Sequence, residues 1–299
     1  MTAELFQQIE AAGGIMDLRT RAKFRLTGGD RVRYLNGQVT NDVRKASPTQ
    51  SLYACVTDAK GRIAGDVFIH AASDALMVDA EEDLRDLLGP RLEKYIIADD
   101  VELTDVSDEW HLWHVFGPAA KTFTPGENGA LKSTRLGLDG VDLWLAPDAL
   151  PPQTEAPILS AQDYETLRIL RGIPRYPNEL NGDAFPPEAG IEERSMSYTK
   201  GCYIGQEILS RIRTTGKMPR ELIQWQSEGS VTVGETVFTA SEPIKAIGTI
   251  TSVAWHPVQQ KHVGLAFVKQ GNVTAHSKLP VGADQPRIDA AIELFAFVK

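Results

Sequence analysis

Hydrophobic spacing changes character along the chain. From Glu221 onward, short runs alternate apolar and polar positions: Leu222–Gln226, Thr236–Phe238, Gly248–Val253, Val263–Val268 and Ile292–Val298. Turn residues separate them. Period-two alternation is the mark of a half-buried strand, and a series of such strands predicts a small antiparallel barrel. The earlier chain mixes periods. Residues 4–11 predict a short helix, and Ala22–Thr27 a strand with Phe24 and Leu26 on one face. Gly28-Gly29 turns the chain. Asp30 is placed to cap a helix carrying Val32, Tyr34 and Leu35, with Gly37 at its end. Ser51–Thr57 and Arg62–His70 form a hairpin through Asp58-Ala59-Lys60-Gly61.

Leu76–Val78, Val101–Leu103, Glu109–Val115 and Val141–Leu145 predict further strands. Leu84, Leu87, Leu88, Leu92, Tyr95 and Ile96 recur at helical spacing, and Gly89-Pro90 is expected to kink or split that helix. Pro147, Pro151, Pro152 and Pro157 mark a connector. Ser160-Ala161-Gln162-Asp163 then opens a helix that stops at Gly172. Strands that are mostly antiparallel, with helices to one side, make an α+β fold.

Two stretches carry candidate chemistry. The first is Lys200-Gly201-Cys202-Tyr203-Ile204-Gly205-Gln206-Glu207. A helix starting near Gly205 would present Ile208, Leu209 and Ile212 on one face. Cys202 would precede its N-terminus and neighbour a lysine, two features that favour a thiolate. The alternative is a buried structural cysteine between turn glycines. The second is Leu35-Asn36-Gly37-Gln38-Val39-Thr40-Asn41-Asp42-Val43. It suits a polar ligand loop or, equally in form, a hydrated turn. Arg211, Arg213, Lys217 and Arg220 form a run with no acidic residue between Arg211 and Arg220. That run fits either an anionic group or simple solvation.

Composition narrows these options. A net charge of −9 argues against a general nucleic-acid surface, so no direct nucleic-acid partner is expected. No segment reaches the ~20 apolar residues of a membrane helix. The first basic residue is Arg19, which fits no secretory or transit leader, so the expected compartment is the cytoplasm. Cys55 and Cys202 are the two cysteines of the chain, so neither a disulfide framework nor a four-thiolate cluster can be built from it alone. His111 and His114 would point to opposite faces of a strand, and no metal site is expected.

The Lys200–Glu207 stretch resembles the signature of the YgfZ family, folate-binding proteins of iron–sulfur cluster assembly and repair whose fold is similar to the glycine-cleavage T-protein. Gly29-Asp30-Arg31 with the Leu35–Asp42 stretch, Arg168–Pro174, and Pro186-Pro187-Glu188 resemble the same family, in the same order. The resemblance implies a three-domain ring around a folate cavity. A first domain, residues 1–48 and 158–221, would be interrupted by an inserted α+β domain, 49–157, and followed by a barrel, 222–299. It implies tetrahydrofolate as cofactor and iron–sulfur client or assembly proteins as partners, with tRNA-modifying enzymes among the clients. Cys202 would be the functional thiol, with Lys200 tuning it. Asn41, Asp42, Arg171, Glu188, Lys200, Tyr203 and Gln206 would bind the folate. The T-protein itself, an aminomethyltransferase, usually has paired aspartates where this chain has Gly65-Asp66, and a pterin-holding glutamate where it has Leu170. Both departures count against aminomethyl transfer, which remains the alternative activity, beside a non-catalytic scaffold.

Overall fold

The computed structural model describes residues 1–287 and 290–298. They form two five-stranded sheets and a closed six-stranded barrel. The first sheet runs, edge to edge, Ile158–Leu159, Gly14–Asp17, His111–Phe116, Gly140–Leu145, Ala130–Ser133. Its first pair is parallel, with Ile15 opposite Ile158, and the other pairs are antiparallel. The second sheet runs Leu52–Thr57, Ile63–Ala71, Leu76–Ala80, Ala22–Thr27, Glu102–Asp105, antiparallel throughout. The barrel closes through Arg220–Ser227, Lys261–Lys269, Ala246–His256, Thr236–Phe238, Lys278–Gly282 and Ala291–Phe297. The helices are α1 (Ala3–Ala12), α2 (Arg31–Gln38), α3 (Arg85–Glu93), α4 (Ala161–Leu170), α5 (Glu192–Ser195) and α6 (Gln206–Thr215).

Period two sorts the side chains of each sheet. In the first, Met16, Leu112, Phe116 and Trp144 join one apolar cluster, while Ile15, Trp113, Val115 and Leu143 join another on the opposite face. In the second, Val67, Ile69, Val78 and Phe24 pack under Tyr34 and Leu35 of α2 and Leu88 and Leu92 of α3. The other face carries a row of polar groups across neighbouring strands. Cys55 stands opposite Asp66, Phe68 opposite Asp79, and Asp79 opposite Lys23. This polar face turns to the centre of the molecule, and its residues are buried there.

Several expectations change. Ala22–Thr27 shares a sheet with the strands at 52–80 and 102–105, whereas Gly14–Asp17 shares one with strands between 111 and 159. The sheets therefore interleave, and residues 49–157 do not stand apart as one inserted sheet. The first barrel strand is Arg220–Ser227. Gly14–Asp17, Ala130–Ser133, Ile158–Leu159 and Lys278–Gly282 add strands that pattern alone did not mark. The first three are too short to show a period, and Pro280 disguises the last. Gly89-Pro90 lies within one continuous helix; a Cβ at Gly89 would come 3.3 Å from the Phe24 ring, so that glycine permits close packing. Asp30 does not cap α2 with its side chain; it accepts from the Asp100 amide at 3.0 Å, while Asp100 accepts from that of Gly29 at 2.8 Å. α2 also runs through Gly37 to Gln38. Among the described residues no helix is long and apolar enough to cross a membrane.

Candidate functional site

The two stretches singled out by their sequences meet in space. Helix ends leave backbone carbonyls unpaired, and α2 ends at Gln38. Lys200 Nζ donates to the carbonyls of Asn36 (2.5 Å), Val39 (2.7 Å) and Asn41 (2.8 Å). An ammonium has three donors, so all are used. Burial pulls its pKa down to about 8, and the three oxygens oppose loss of the proton. Ile204 donates its amide to Gly37 (3.1 Å), and Thr57 Oγ1 donates to the Ile204 carbonyl (2.6 Å). Gly205 takes φ +86°, and a Cβ there would stand 2.5 Å from the Asp58 carbonyl oxygen. The Tyr203 ring lies 4.9 Å below Lys200 Nζ, and Gln206 Oε1 accepts from the Tyr203 amide (3.3 Å). Lys200, Ile204 and Gly205 therefore bind this segment to the α2 loop and the hairpin turn, while Tyr203 and Gln206 brace it from within. Gly201 and Cys202 are exposed, and the Cys202 thiol is free. Lys200 fixes the backbone on which Cys202 stands, through carbonyls rather than through the sulfur.

The centre of the molecule is a web of buried charge. Arg135 makes paired bonds to Asp79 (3.0 and 2.8 Å) and to Asp142 (both 2.8 Å), with its guanidinium 4.0 Å over the Phe68 ring. Arg21 holds Asp79 at 2.6 Å and also Glu81. Arg175 holds Glu81 through Nε (3.0 Å) and Nη2 (2.7 Å). Burial works against the Glu81 carboxylate, yet Arg21 and Arg175 outweigh it and keep its pKa below the ordinary value. Asp66 differs. Burial pushes its pKa up to about 6, Glu81 adds to the rise, and Arg21 opposes it. Asp66 Oδ2 accepts from Tyr53 Oη at 3.1 Å, but Oδ1 has no partner, nor has Arg21 Nη2. Both residues line a cavity of about 30 Å³, which Arg135, Arg175 and Arg194 also border. A larger cleft of about 700 Å³ lies outside it, against residues 17–21 and 107–108, which link the two sheets.

The expected folate ligands Asn41, Asp42, Arg171, Glu188, Lys200, Tyr203 and Gln206 line neither space, and neither does the expected functional thiol, Cys202. Asn41 Nδ2 donates to the carbonyls of Tyr53 (2.9 Å) and Arg194 (3.2 Å), so it positions two residues that do. Asp42 caps the turn Val43–Lys45 and pairs with Arg44 at 2.8 Å, which holds its pKa below the ordinary value. Arg171 ties α4 to Glu10 of α1 at 2.9 Å. Glu188 accepts from the Phe185 amide (3.0 Å) beside Arg62 and Arg220, where the loop meets the barrel. Tyr203 packs with Phe185, Met196 and Leu209. Asp66, Tyr53, Arg135, Arg175 and Arg194 line the inner cavity and were not among the expected site residues. A carboxylate in the otherwise apolar run Ile63–Ile69 was the signal for Asp66. Among the described residues, no group of three or more His, Cys, Asp or Glu side chains is arranged to hold a metal.

Residues 2–124 match the family model described as the GCVT N-terminal domain. An aminomethyltransferase of Halalkalibacterium halodurans is 26% identical, covering 92% of this chain and 83% of its own. A mitochondrial iron–sulfur cluster assembly factor IBA57 homolog of Cryptococcus neoformans is 25% identical, covering 83% and 76%. The crystal structure of glycine cleavage system aminomethyltransferase T from Bartonella henselae superposes with a TM-score of 0.81 at 15% identity, over 98% of this chain and 88% of that one. The fold is that of the glycine-cleavage T-protein. Relatives of similar identity carry two different activities, so the choice between them falls to the site.

Proposed function

We propose that this chain binds tetrahydrofolate and assists the assembly or repair of iron–sulfur clusters in client enzymes, tRNA-modifying enzymes among them, with Cys202 as the functional thiol. The observation that carries this reading is the division of labour within Lys200–Glu207. Lys200, Tyr203, Ile204, Gly205 and Gln206 hold the backbone, and the exposed Cys202 thiol is left without a structural task. A reachable sulfur on a fixed backbone suits contact with a thiophilic centre carried by another protein. Cys55 cannot join it: that thiol is buried, and burial with nearby Asp66 raises its pKa. A cluster needing about four protein ligands is therefore cargo, completed by the partner's side chains. The likeness to the IBA57 homolog supports the same reading.

For folate, the unpartnered Asp66 Oδ1 and Arg21 Nη2 offer an acceptor and a donor from two residues that line one small cavity, next to a cleft with room for a larger molecule. These residues suit the hydrogen-bonding edge of a pterin. Tetrahydrofolate, when bound, supplies a ring that carries one-carbon units and is readily oxidised. Asp66 would hold a proton near its edge, with a pKa poised at about 6, and Arg135 and Arg194 would supply positive charge beside it.

The second reading is aminomethyl transfer, favoured by the aminomethyltransferase relatives and by Asp66. A Cβ at Gly65 would lie 2.9 Å from Leu84 Cδ1 and 3.2 Å from Leu88 Cδ2, so a second carboxylate there would have to displace the ends of two leucine side chains and face an apolar cluster. The test is a Cys202→Ala variant in cells lacking the native protein. It should fold and bind folate yet fail to restore an iron–sulfur client enzyme. Full restoration removes Cys202 from the mechanism, and robust formation of methylene-tetrahydrofolate from an aminomethylated carrier protein would favour the second reading.

A further inference from the structure

Leu18, Arg21, Glu81, Tyr164 and Arg175 line both the 700 Å³ cleft and the 30 Å³ inner cavity. A single layer of side chains therefore separates the open cleft from Asp66. The inner cavity has room for water only, whereas sites for small organic molecules run to about 300–1,000 Å³. The cleft has that room. Two of the buried hydrogen-bonding atoms without a partner, Asp66 Oδ1 and Arg21 Nη2, belong to residues that line the inner cavity. Space and chemistry stand on opposite sides of one wall.

Two members of the wall, Tyr164 and Arg175, are partly exposed, and Arg175 is the one held in place by ion pairs. Leu18, Arg21 and Glu81 are buried. The Arg175 side chain is 37% exposed and is held by Glu81 and, at 3.3 Å, by Glu165. If it swings outward, Glu81 keeps its bond to Arg21 and Glu165 keeps its bond to Arg168. No buried carboxylate is left alone, so the movement avoids the heavy cost of an unpaired buried charge.

We propose that the cleft is the entrance to the ligand site and that Arg175 is its gate. With Arg175 off Glu81, cleft and cavity join into one site for a flat heteroaromatic ligand whose edge carries both donors and acceptors, and that edge meets Asp66 and Arg21. The ligand's identity rests on the folate reading; the gate rests on the shared wall.

Stopped-flow quenching of tryptophan fluorescence by 5-formyltetrahydrofolate tests it, with melting curves to confirm that each variant is folded. Arg175→Ala should associate about tenfold faster than the native protein, within the range that variants of one site usually span. Arg175→Lys, which loses the paired bonds but keeps the charge, should fall between. Ala161→Trp, placed on the exposed cleft-lining start of α4, narrows the entrance and should slow association. Binding by Arg175→Ala alone also supports the gate. Binding by all forms at equal rates overturns the gate and leaves the folate reading intact. Binding by none overturns the folate reading and the gated site with it.

Discussion

Replacing Lys200 by methionine tests the physical role of the Lys200–Glu207 segment. The change keeps the length of the stem and deletes the ammonium. Three carbonyls, those of Asn36, Val39 and Asn41, lose their shared donor. Hydrogen bonds to a charged group contribute about 1.5–3 kcal/mol each. They are not additive around one nitrogen, and the native state bears the cost of keeping a buried ammonium out of water. A net loss of about 3 kcal/mol is the expected result, equivalent to roughly 6–12 °C in melting temperature. The Val39 and Asn41 carbonyls are buried, so water can replace the donor only by entering. Scanning calorimetry gives the stability, and the rate of Cys202 alkylation by iodoacetamide gives the local order. The variant should melt lower and react at Cys202 with altered rate at temperatures well below unfolding. A melting temperature within 1–2 °C of the native value, with unchanged alkylation, would refute the claim that the carbonyl cage holds this segment.

Asp66 gives a pH-dependent prediction. Its pKa is raised to about 6 in the folded protein from an ordinary 3.8, so between those values the native state binds the proton more tightly than the unfolded chain. Stability linked to this group is intact below about 4 and falls as pH rises through 6. Asp66→Asn should therefore stabilise the protein by up to roughly 3 kcal/mol at pH 8 and very little at pH 4, measured as the difference between paired urea titrations. A gap that does not widen with pH removes the claim. Arg135→Met leaves Asp79 and Asp142 buried without their main partner and should cost about 3–5 kcal/mol, read by the same titrations; a cost below 1 kcal/mol would mean that other groups carry the web.

The barrel was legible because five of its six strands are short apolar-rich runs set off by turn residues. Lys278–Gly282 escaped because its proline masks the pattern. All five strands of the second sheet were legible one by one, but in the first sheet only His111–Phe116 and Gly140–Leu145 were, and the strand order was legible in neither, since nothing local makes Ala22–Thr27 pair with Glu102–Asp105 rather than with Gly14–Asp17. The Lys200–Glu207 motif pointed to Cys202, yet its lysine finds partners 159 to 164 positions away, a distance no spacing rule spans. The cavity residues were harder still. Arg135, Arg175 and Arg194 come from separate loops and a short helix. They look in sequence like ordinary surface arginines, and only the fold gathers Arg135 and Arg175 onto Asp79, Glu81 and Asp142. Asp66 stands out in sequence as a carboxylate in an apolar strand, but only the fold shows that it lines a cavity with Arg21, Arg135, Arg175 and Arg194.

The measurement closest to the central claim is alkylation of the native protein followed by intact mass and peptide mapping, with client reactivation assayed on the same samples. The account predicts one adduct, on Cys202 and none on the buried Cys55, and loss of cluster restoration in step with that adduct while tetrahydrofolate binding persists. Full restoration by protein completely alkylated at Cys202 would contradict it.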